Sequence, residues 1–181
     1  MLLLVAGVLL WSAAHLLKRV APNARAAMGS AGRGIMSIAI LASMVLMYLG
    51  YSHAETDFYW GRNPQSVGIN NILMFLAIYL MVAAATKSWI TGSIRHPQLT
   101  AIKSWSIGHL LVNGDSASMV LFGGLLVWAV VSVILINKQD GKPALSVQTS
   151  AGKEVMTALS AVLAFGGVAF IHIYMGYPVF G

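Results

Sequence analysis

Five histidines are the residues of this chain best suited to chemistry, and three of them, His15, His109 and His172, stand inside long apolar stretches. An ionisable side chain in a lipid-embedded segment is costly and marks a functional site by default. Around the central one, Ser106, His109 and Asn113 recur at spacings of three and four, so they share one helix face. A hydroxyl, an imidazole and an amide on one face of a membrane helix must look into protein or a wet cavity. Trp105 borders that stripe, and Trp11 stands four residues before His15, so each helix offers an aromatic ring beside an imidazole. The pattern suits a flat apolar ligand held between helices and bonded axially by histidine, as haem iron is. On this reading His15 and His109 are the metal ligands, Ser106 and Asn113 surround them with polar groups, and Arg95 or Lys103 meets the propionates. Counting about 1.5 Å per residue from Lys18 and Lys103 brings His15 and His109 to similar depths in the inner half of the bilayer. It leaves His53 and His172 near the outer face.

A plainer reading stays open. Histidine, serine and asparagine in membrane helices also serve only to hydrogen-bond a neighbouring helix, which would make this a cofactor-free assembly protein. Other chemistries find less support. The chain has no cysteine, which excludes disulfides, thiolate catalysis and cysteine-bound metals. No pair of histidines flanks a glutamate at zinc-hydrolase spacing. Ser106, His109 and Asp115 lack the strand-turn-helix pattern of a nucleophile elbow. Gly123-Gly124 and Gly166-Gly167 lack the lysine and hydroxyl of a phosphate loop and read as sites of close helix packing.

The elements that must position these residues follow from composition. Of 181 residues, 58% are hydrophobic and 9% charged, against about a quarter charged in soluble domains. A soluble globule, a disordered tail and a nucleic-acid module are excluded together. Six apolar stretches, Leu2–Leu17, Ile35–Ser52, Ile69–Ile90, Pro97–Asn113, Ser116–Ile136 and Val155–Gly176, predict an all-α integral membrane protein. Its partner is the lipid bilayer, and residues 1–181 form a single bundle of about six transmembrane helices. Pro97–Asn113 is the weak case, being short and carrying Lys103, but Pro97 suits a first helical turn. His96 before it is pushed toward extended backbone. With the first loop in the cytoplasm, ten of the eleven Lys and Arg fall on the cytoplasmic side or just within it, and only Arg62 falls outside. Short cytoplasmic loops retain cations, so both termini are expected outside, in the periplasm of a bacterium. Lys18 and Arg19 follow the first apolar run instead of preceding it, unlike a signal peptide. Gly141–Gly152 reads as a flexible cytoplasmic loop.

The run from Arg95 to Gly124, RHPQLTAIKSWSIGHLLVNGDSASMVLFGG, resembles the signature region of the NnrU family. The likeness extends to His15, Trp60 and the ending His172, Pro178 and Phe180-Gly181. It implies a small protein of the bacterial inner membrane associated with denitrification and nitric oxide metabolism, acting as redox protein, sensor or enzyme. The plant zeta-carotene isomerase is a relative, and that resemblance implies b-type haem and redox-dependent cis–trans isomerisation of a polyene. Its axial histidines correspond to His15 and His109, with a small apolar or nitrogen-oxide molecule as further ligand. Where the plant enzyme carries a cysteine three residues before the second histidine, this chain has Ser106, so ligand exchange through sulfur is not open to it. A more distant resemblance, Arg95-His96-Pro97 ahead of a short helix, is to membrane methyltransferases that use S-adenosylmethionine. The glutamate-containing, tyrosine-rich segment those enzymes carry near the C-terminus is missing after Ile136.

Overall fold

The computed structural model describes residues 1–141 and 147–180. The loop expected at Gly141–Gly152 lies partly outside the described residues. From Ser150 it is already capping the last helix, its hydroxyl accepting from the Lys153 amide at 3.3 Å.

Helix α1 runs over Leu2–Val20, and a short helix, α2 (Pro22–Ala27), leads into α3 (Gly32–Ser52). Strand β1 (Phe58–Trp60) precedes α4 (Pro64–Thr86), and α5 follows at Pro97–Val112. Strand β2 (Gly114–Asp115), a single turn α6 (Ser116–Ser118) and a π-helical turn (Met119–Gly123) lead into α7 (Gly124–Asp140). Helix α8 covers Ala151–Tyr174. Two starts have a local explanation, that of α4, five residues ahead of the expected Ile69, and that of α5 at the expected Pro97. The Asn63 side chain accepts from the Ser66 amide at 2.8 Å, and the Ser66 hydroxyl accepts from the Asn63 amide at 3.0 Å. This is a reciprocal capping box ahead of Pro64. Pro97 opens α5 as the sequence predicts, and His96 before it is kept out of the helical region at φ −126° and ψ 66°, short of the extended backbone expected.

Five segments, Leu2–Val20, Gly29–Ser52, Pro64–Thr86, Ser116–Asp140 and Ala151–Tyr174, are long and apolar enough to cross a membrane. At about 1.5 Å per residue, the 16 residues of α5 extend about 24 Å, short of a hydrocarbon core of about 30 Å. It lies between α4 and α7, both of which it packs against, so protein replaces lipid around it. The protein is a multi-pass helical membrane protein.

The packing has an order. Helices α1 and α3 form one tight hairpin, α4 and α5 another, α7 packs against both, and α8 lies on α4. The first hairpin is close because Gly50 faces the α1 backbone, where a Cβ would overlap Leu4. Gly124 admits the Val8 side chain, as expected of Gly123-Gly124, whereas a Cβ at Gly123 would meet nothing within 4 Å. Gly166 and Gly167 differ, since a Cβ at either would meet open space. The outward faces of α3 and α8 are bare, with Ile38 68% and Leu163 76% exposed, as lipid-facing helices require.

Polar ties mark the two ends. At one, Arg19 donates two bonds to Asp140 at 2.7 and 2.9 Å, His96 Nε2 meets Asn137 Oδ1 at 2.9 Å, and Ser88 donates to Glu154 at 2.5 Å. At the other, β1 pairs antiparallel with β2 and Trp60 Nε1 donates to Leu110 O at 2.9 Å. There too Asn71 donates to Val179 O at 3.2 Å. Both described ends of the chain therefore lie at the second end of the bundle, with Arg62. We call the first, cation-rich end inner and the second outer.

Candidate functional site

Helix α7 and the π-turn before it form the surface on which both candidate imidazoles rest. His15 projects from α1. Its Nδ1 lies 2.9 Å from the Trp11 carbonyl four residues back. A carbonyl only accepts, so Nδ1 carries the proton and Nε2 keeps its lone pair, the arrangement usual in metal-bound histidine. The ring lies 4.2 Å from Trp11 and 4.9 Å from Trp128 of α7, and the two indoles meet edge to face at 5.4 Å.

His109 projects from α5 into a second aromatic group. It stacks on Phe122 at 4.4 Å with the planes 6° apart, and Trp105 stands edge-on to both rings at 5.2 and 4.9 Å. Phe122 belongs to the π-turn, a helix irregularity often found at functional sites. The Asn113 amide nitrogen donates to the His109 carbonyl at 3.0 Å and also faces His109 Nδ1 at 3.3 Å. In that orientation Nδ1 accepts and the ring proton sits on Nε2. Binding a metal through Nε2 requires the other tautomer, with the amide turned to present its oxygen.

The depths differ from those expected. His15 stands five residues before the end of α1 at Val20, about 8 Å from the inner end. His109 stands three residues before the outer end of α5 at Val112. On α7 their contacts, Trp128 and Phe122, are six residues apart, about 9 Å of rise. The count from Lys103 misleads because α5 starts six residues before that lysine and carries it into the bundle. His109 thus belongs to the outer half, where His172 of α8 is near enough to act on it electrostatically.

Ser106 is fully buried, and its hydroxyl finds no partner among the described residues. The indole nitrogens of Trp11 and Trp128 and the Asn70 side-chain oxygen are likewise buried and unpartnered. A Cβ at Gly108, next to His109, would lie 2.9 Å from that Asn70 oxygen. Such groups are rare in folded proteins and call for an explanation. Lys103 is half-buried, and Arg95 sits at the inner end beside the Arg19–Asp140 pair. His53 caps α3 at the outer surface, its Nδ1 3.0 Å from the Leu49 carbonyl, and His96 is engaged by Asn137. Among the described residues no three His, Cys, Asp or Glu side chains gather as a metal site, so any iron here would need a porphyrin to supply most of its ligands.

Two features escaped sequence reasoning. Trp128 and Phe122 are the rings against which the histidines rest, yet in an apolar run nothing separates them from lipid-facing residues. The second is a chain of hydroxyls at the outer end. Tyr51 donates to Ser118 at 2.9 Å, and Ser118 donates to Asp115 at 2.7 Å. The offset of three from Asp115 to Ser118 was a legible capping signal.

These observations define a multi-pass helical membrane protein with two aromatic-lined imidazoles on one central helix. The chain belongs to the NnrU family: the family model described as NnrU protein matches residues 3–179. No curated protein and no solved structure matches the chain.

Proposed function

We propose that this protein binds b-type haem between its helices, with His15 and His109 as the iron ligands, and serves as a redox protein or sensor in nitric oxide metabolism. The observation that carries the reading is the set of buried, unpartnered polar atoms beside the two imidazoles: the Trp11 and Trp128 indole nitrogens next to His15, and Ser106 one turn before His109. Inside a bilayer each such group is expensive, and a bound ligand would give it a partner. The donor atoms fit the group in kind, since His15 offers a free Nε2 and His109 becomes equivalent when Asn113 turns its amide; sharing one iron also requires α5 to slide until the two imidazoles, whose supports stand about 9 Å apart in height, come level. Haem held by both imidazoles would supply a one-electron couple, and a diatomic gas would reach the iron only where one imidazole leaves it. The chain's own residues orient the imidazoles through Trp11 O and Asn113 and exclude water with Trp11, Trp105, Phe122 and Trp128. Arg95 and Lys103 are the cations available to propionates. The positive-inside rule supports an inner end facing the cytoplasm and termini on the opposite side, which in a bacterial inner membrane is the periplasm.

One observation favours the plainer alternative of structural histidines. His172 and His53 bond their own helix backbones as His15 does, at 2.8 and 3.0 Å, so that bond alone does not single out a ligand. Absorption spectra of protein purified from haem-supplied cells separate the two. The expected result is a Soret band that sharpens on reduction and is lost or displaced in both His15→Ala and His109→Ala. Absence of the band, or a band unchanged in both variants, removes the proposal.

A further inference from the structure

We propose that the inner end of the α1–α3 hairpin is a binding site for the phosphate of an anionic phospholipid. Helix α2 folds beneath the hairpin and forms one wall of an open surface pocket of about 470 Å³ lined by Lys18, Pro22, Arg25, Ala26 and Arg33. Three of these five side chains are cations and the other two are apolar. Among the described residues none of the three cations has a carboxylate partner, since the ion pair at this end joins Arg19 to Asp140. Like charges around one pocket repel, and an anion between them reverses the sign of that interaction.

The position of Arg25 is built into the backbone. Its guanidinium lies across the Cα of Gly32, where a Cβ would overlap Nη1, and Gly32 is itself buried. A planar guanidinium fixed in this way presents a donor fork suited to phosphate oxygens. Lys18 and Arg33 add point charge from the two flanking helices. The surroundings select a lipid over a free anion. The pocket opens at the ends of two apolar spanning helices, on which Val20 and Ile35, each two residues along from a lining cation, are 68% and 45% exposed. A headgroup phosphate seated there leaves its acyl chains along those apolar faces. Basic pockets at the cytoplasmic ends of membrane helices bind anionic headgroups on the same physics. The site shares no residue with the histidine cleft and does not depend on the haem reading.

The test uses the full chain in nanodiscs of phosphatidylcholine with and without phosphatidylglycerol, reading retained lipid by native mass spectrometry and thermal unfolding in parallel. Phosphatidylglycerol is expected to be retained preferentially, and the preference to fall about five-fold for each cation removed in Arg25→Ala and Arg33→Ala. Gly32→Ala keeps all three charges but expels the guanidinium, and should lower the preference as well. Arg62→Ala at the opposite end should leave it unchanged. If Arg25→Ala does not fold, Arg33→Ala and Gly32→Ala carry the test. Equal preference in these variants and in the parent chain overturns the site. Equal stabilisation by inorganic phosphate in phosphatidylcholine discs overturns its assignment to lipid.

Discussion

Ser106 is a hydroxyl with no bonding partner among the described residues, fully buried one turn before His109. A buried polar atom left without a partner costs about 1–3 kcal/mol, and replacing serine by alanine removes that cost with almost no change in shape. In the haem-free protein, Ser106→Ala should therefore leave stability unchanged or raise it by about 1 kcal/mol, read by denaturant unfolding in mixed micelles. A loss of stability would mean that the hydroxyl already has a structural role. Its neighbour Asn113 works differently. By bonding the His109 carbonyl and facing Nδ1 at the same time, it couples the helix end to the tautomer of the ring.

Among the elements, the α1–α3 hairpin holds His15 in place, and its closeness rests on the side chains missing at Gly7 and Gly50. A Cβ at Gly50 would fall on the Leu4 backbone, which cannot rotate away. Gly50→Ala must therefore prise the two helices apart at their outer end, at a cost typical of overpacking, about 1–3 kcal/mol. Gly34 provides the control, because a Cβ there meets open space; Gly34→Ala should be neutral or slightly stabilising through helix propensity. Equal effects of the two substitutions in an unfolding titration would contradict the hairpin geometry. The π-turn is the second decisive element. By widening one turn ahead of α7 it sets the direction in which Phe122 points, and that side chain supports His109.

For the molecule as a whole, the helix ends alternate and the cations collect at one of them. Because the natural chain has no cysteine, single cysteines report topology cleanly. Asn23→Cys, in α2, should be shielded from a membrane-impermeant thiol reagent in intact cells and react after permeabilisation. Glu55→Cys, between α3 and β1, should show the opposite order of access. Labelling of both from the same side would rule out the alternating arrangement of α1 and α3.

Much of this architecture was legible without coordinates, for a physical reason. Lipid satisfies no backbone polar group, so a long apolar stretch must be a helix. Cations resist transfer, so their positions fix which ends lie together. The start at Pro97, the shortness of that helix and the gathering of cations at one end all follow from local chemistry. What the tertiary structure alone decided was depth and company. Whether His109 lies level with His15 depends on how far α5 slides between α4 and α7, which no count from Lys103 could measure. Which rings enclose each imidazole depends on a π-turn and on packing across helices distant in sequence. Apolar residues facing lipid and apolar residues facing a cleft read alike along the chain, because both solvents are equally oily; only the folded arrangement distinguishes them.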